Sequence, residues 1–87
     1  MSRVLKQTLK HEKVQTVSFP VQWRPLAFAN QNGDPTLWFE GDDKSEYTFR
    51  AIHLVFTGEE VPLKGRYLGT ATFGIGGAIV VHCYITQ

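Results

Sequence analysis

Three arginines of this chain have an aromatic neighbour: Trp23-Arg24, Phe49-Arg50 and Arg66-Tyr67. A guanidinium grips a phosphate or carboxylate through a two-pronged fork, and an aromatic ring beside it offers a base a face to stack on. Trp23, Arg24, Arg50, Arg66 and Tyr67 are therefore the expected ligand-binding residues, and an anionic nucleotide, cyclic or adenosine-derived, is the expected ligand. The plainer role for the same residues is core or edge cover for Trp23 and Trp38 and solvated faces for the arginines.

Other reactive side chains point to less. His11, His53, His82 and Cys83 are the soft and borderline metal ligands. His82 and Cys83 are adjacent, so on a strand they face opposite ways and do not share an ion; no metal site is expected. Asp42 and Asp43, with Glu40 and Glu46, form an acidic turn without the alternating spacing and distal glutamate of a calcium loop. Cys83 sits in an apolar run where thiols are inert, and no nucleophile–base pairing is marked by spacing, so no catalytic residue and no enzyme activity are expected. Phe73-Gly74-Ile75-Gly76-Gly77 has the look of a phosphate loop, but a β-branched segment follows where a helix N-terminus is required. A hairpin turn is the better reading, and no cofactor is expected.

These side chains have to be carried by a small scaffold. With 87 residues, 43% hydrophobic and 20% charged, the chain suits one globular domain over residues 1–87. Nine Lys and Arg against eight Asp and Glu leave a net charge of +1, which argues against a clamp for duplex DNA. A single cysteine excludes an internal disulfide framework. The opening residues lack the apolar core of a signal peptide and no stretch approaches a membrane span, so a cytosolic location is expected.

Apolar residues recur with period two, the mark of strands, and no helix of ten residues is evident. Strands are expected over 4–9, 14–19, 26–31, 36–40, 46–56, 67–73 and 78–85. Pro20 and Pro25 should hold residues 21–24 extended or turned between them. Asn32-Gly33 between apolar runs is a strong hairpin signal, because both residues tolerate positive φ. The pattern predicts an all-β domain, a small antiparallel β-sandwich or barrel of about seven short strands. Residues 51–56 and 78–85 are apolar on both faces. Either loops cover the second face or it packs on another copy, and a homo-oligomer is expected on the second view.

Four segments carry a resemblance: Gln31-Asn32-Gly33-Asp34-Pro35-Thr36-Leu37-Trp38, Thr57-Gly58, Tyr67-Leu68-Gly69-Thr70 and Gly77-Ala78-Ile79-Val80-Val81-His82-Cys83-Tyr84. Together they resemble a family of short uncharacterised proteins encoded by bacteriophages and prophages. Most of these residues serve turns and core, so the resemblance implies a shared fold and transfers no catalytic residue. Its implied setting is the cytoplasm of an infected host cell, where small accessory proteins counter defence by sequestering a nucleotide signal or capping a host protein. A non-enzymatic, oligomeric sequestering protein is the leading expectation. A module that docks on a host or virion protein, or a minor structural component of the particle, is the alternative.

Overall fold

The computed structural model describes residues 1–87. It contains seven strands: β1 (Arg3–Thr8), β2 (Val14–Pro20), β3 (Trp23–Gln31), β4 (Asp34–Gly41), β5 (Tyr47–Phe56), β6 (Arg66–Phe73) and β7 (Ile79–Thr86). One sheet has the order β1-β4-β3, the other β2-β5-β7-β6, and every pairing is antiparallel. The expected all-β sandwich is thus the fold. No helix is long and apolar enough to cross a membrane.

The β3–β4 hairpin turns on Asn32 (φ 54°) and Gly33 (φ 92°), the paired positive angles that favour Asn-Gly in a two-residue loop. The β6–β7 connection is a single 3₁₀ turn, Ile75–Gly77, opened by Gly74 at φ 79°. A strand follows it, so the glycine-rich stretch is a hairpin turn.

Alternation along the strands sends Phe28, Leu37 and Phe39 from one sheet against Val17, Phe19, Ile52, Leu54, Ala71, Val81, Cys83 and Ile85 from the other. Phe19, Leu37, Ile52 and Cys83 are fully excluded from water. The sheets meet most closely where β3 runs beside β6. Gly69 permits this approach: a Cβ there would lie 2.9 Å from the Cβ of Phe28. A bulge between Tyr67 and Gly69 supplies the bend that brings β6 in.

The strand expected over 26–31 begins earlier, at Trp23, and takes in Pro25. β3 runs straight through it, paired with Phe39, and a register shift follows between Pro25 and Ala27. β3 is an edge strand, where a missing N–H forfeits no ladder bond, and the bulge absorbs the ring.

Part of the second apolar face is covered by a loop of the same chain. Val55 is buried yet stands outside the core cluster, on the outer face of β5. The loop over residues 57–65 covers it: Val61 and Pro62 share surface clefts with Val55, His53 and Tyr84. Glu59 anchors this loop, accepting the Phe56 backbone N–H at 2.8 Å and pairing with Lys13. The loop thus covers Val55 in cis, while Tyr47 and Phe49 on the same face of β5 stay exposed.

Candidate functional site

On a strand, neighbouring residues face opposite ways, and each arginine–aromatic pair is split accordingly. Trp23 faces inward opposite Gly41, whereas Arg24 faces out and donates from Nε to Oε1 of Glu40 at 2.7 Å. Arg50 shares the inward side of β5 with Ile52 and lies opposite Val17, whereas Phe49 is 74% exposed on the outer side. Arg66 faces inward opposite Ile85, whereas Tyr67 lies outside against Tyr84, ring centroids 5.6 Å apart.

The three inward members converge. Trp23, Arg50 and Arg66 line one cleft of about 370 Å³ at the end of the sandwich where β5 begins and β7 ends. Of the expected ligand-binding residues, Arg24 and Tyr67 lie elsewhere: Arg24 is committed to Glu40, and the Tyr67 hydroxyl is bonded to Thr70 Oγ1 at 2.6 Å. Lys64 joins the cleft and was not singled out by the pattern, because it reaches the cleft through the loop before β6, with a positive φ of 58°. The signal for it was the basic run Lys64-Gly65-Arg66.

Lys6, Lys10 and Lys44 stand apart on the surface without a carboxylate partner, whereas this cleft gathers three such cations. Arg3, Lys13 and Arg24 each pair with a carboxylate, Asp43, Glu59 and Glu40 respectively. Arg50, Lys64 and Arg66 have no carboxylate partner. Arg50 Nε is buried with no hydrogen-bond acceptor at all. An unsatisfied buried donor costs about 1–3 kcal/mol, more when it is charged. An oxyanion in the cleft would remove that cost.

Trp23 forms the wall. Its ring stacks on Phe19 (4.7 Å between centroids, 16° between planes) and meets the edge of Phe39 at 5.9 Å. The Arg66 guanidinium lies over the same indole, 6.0 Å from the centroid. Trp23 thus packs on the core through Phe19 and Phe39 and also orients Arg66. Trp38, by contrast, stands half-buried on the outer face of β4, opposite Lys6.

The remaining reactive groups are dispersed. His11 bonds Asp34 at 3.1 Å, His53 bonds Thr86 at 2.9 Å, and His82 bonds Thr57 and Thr70 at 2.9 and 2.8 Å. No three His, Cys, Asp or Glu residues gather in a metal-binding cluster. Burial pushes the Cys83 thiol up to about 12 from an ordinary 9.0, so it stays protonated at neutral pH and is no nucleophile.

A family model, Domain of unknown function (DUF7352), matches residues 1–87, and the chain belongs to that family. No curated protein matches the chain, and no solved structure does.

Proposed function

With membership of this family as the premise, we propose that the protein is a non-enzymatic binding protein whose basic cleft holds a phosphate-bearing ligand, a nucleotide, and withholds it from other partners. One observation carries this reading: the buried, acceptor-less Nε of Arg50, set beside two further cations that no carboxylate neutralises. Arg50 and Arg66 supply forked donors, and Lys64 supplies a point charge at the rim. The indole of Trp23 holds the Arg66 guanidinium in place before the anion arrives, which lowers the ordering cost of binding. A counter-defence role inside a phage-infected cell is the setting in which such sequestration is useful. One chain supplies all of these groups, so the reading requires no second copy.

The test is thermal unfolding against ATP, cyclic AMP, pyrophosphate and unphosphorylated adenosine. A phosphate-bearing ligand at a hundred times its Kd adds about 2.7 kcal/mol, a rise of roughly 10–20 °C for a domain of this size. Adenosine should leave the melting temperature unchanged. Arg50→Met should abolish the rise and Arg24→Ala should preserve it. A flat panel, or a rise that survives Arg50→Met, overturns the reading.

One observation favours a different partner. Phe49 and Tyr47, 74% and 46% exposed, stand on the outer side of β5, an apolar surface of the kind that docks a protein. A co-purifying protein released by Phe49→Ser would support docking over nucleotide binding.

A further inference from the structure

A second cleft, of about 330 Å³, opens between the sheets at the end opposite the basic one. It is separated from that end by the six residue steps of β7 from Ile79 to Ile85, or roughly 20 Å. Its floor is Leu54 and Val81, and its walls are Phe56, Phe73 and Ile79. All five occupy inward positions, in pairs Phe56 with Val81 and Phe73 with Ile79, yet Phe56 and Ile79 remain 43% and 47% exposed. The apolar interior is therefore left open to solvent at this end. A closed apolar cavity of about 150 Å³ accepts benzene, so this one has room for two fused rings.

One polar pair stands at the mouth. His11 lies edge-on to Phe73, 6.5 Å between centroids, and its Nε2 bonds Asp34 Oδ1 at 3.1 Å. A carboxylate only accepts, so Nε2 donates this bond, and Nδ1 has no partner within the chain. Gly33 and Gly74 flank the mouth and put no side chain across it.

We infer that this cleft is a binding site for a small aromatic molecule of one or two rings bearing a hydroxyl or N–H, with the ring on Phe56, Phe73 and Ile79 and the donor on His11 Nδ1. The inference is independent of the anion site, which shares no residue with it.

The test is an amide chemical-shift titration of the intact protein with 2-naphthol and, separately, with naphthalene. Both should give saturable shifts centred on Leu54, Phe56, Phe73, Ile79 and Val81. Ile79→Trp, which fills the mouth from an already exposed position, should abolish them while leaving the rest of the spectrum folded. His11→Ala should weaken 2-naphthol about fivefold, the worth of one hydrogen bond, and leave naphthalene unchanged. Arg50→Met should change neither titration. Absent or scattered shifts, or shifts that persist in Ile79→Trp, overturn the inference. Equal effects of His11→Ala on the two probes overturn the role of His11. A concentration-dependent dimer that Ile79→Trp dissociates would assign the cleft to a second copy instead.

Discussion

The two ends of this sandwich are built from the same strands and finished differently. At the end where β5 begins, the inward positions carry Arg50, Arg66 and Trp23, and the aromatic packing of Phe19, Trp23 and Phe39 seals the core beneath the charges. At the other end the inward positions carry Phe56, Phe73 and Ile79, and nothing polar follows them except His11 and Asp34. The first end is sealed and electrostatically unsatisfied. The second is electrostatically quiet and sterically unfilled. A core of 12 buried residues closes the middle, so each end is free to be specialised with little cost to the other.

That contrast makes graded predictions. The largest effect belongs to Phe19→Ala, which empties a fully buried site under Trp23; it should cost about 3–5 kcal/mol in urea unfolding and abolish anion binding as well. Phe56→Ala, at the unfilled end, should cost well under half as much, since 43% of that residue is already in water. Equal losses at the two positions would erase the distinction between a sealed and an open end.

Arg50→Met should move stability the other way. Removing a buried guanidinium nitrogen that has no acceptor should raise the unfolding free energy of the ligand-free protein by about 1 kcal/mol while abolishing anion binding. A loss of stability in phosphate-free buffer would mean that Arg50 already has a satisfied structural role.

The interior predicts a pH effect. Cys83 is held well above its ordinary value by burial, so it is a neutral thiol in both states below pH 9. Above that pH the unfolded chain ionises first, and stability should fall as pH rises toward about 12. Cys83→Ala should flatten this alkaline decline, and alkylation at pH 8 should require unfolding. The smallest effect concerns Glu59, whose carboxyl is lowered first by the hydrogen bond from Lys13 and then by the Phe56 backbone N–H. Its contribution should be present at neutral pH and disappear as pH falls below 4.5 through the lowered value. Glu59→Gln should therefore matter at pH 7 and not in acid, by melting temperature.

Much of the scaffold was legible from residue order, because period-two alternation and the Asn32-Gly33 turn act locally. The start of β3 falls before Pro25 and not after it, since the edge position of β3 makes a proline tolerable there, and edge position is a property of the whole sheet. The site was legible by halves. Trp23, Arg50 and Arg66 were singled out with their neighbours in the chain, but alternation divides each neighbouring pair between inside and outside. The partners that matter come from β3, β5 and β6, and only tertiary register brings them together. Lys64 was missed because a loop residue has no periodicity to betray its direction.

Strand order has a consequence for how the molecule assembles. Only β3–β4 and β6–β7 are neighbours both in sequence and in space, and they belong to different sheets. Each can form early as a local hairpin, whereas β1 and β2 must wait for β4 and β5, far along the chain. Trp23 rides on one hairpin and Arg66 on the other, so the basic cleft does not exist until the two halves dock. Anion binding in a refolding experiment would then report the last step of assembly, and neither hairpin alone would bind.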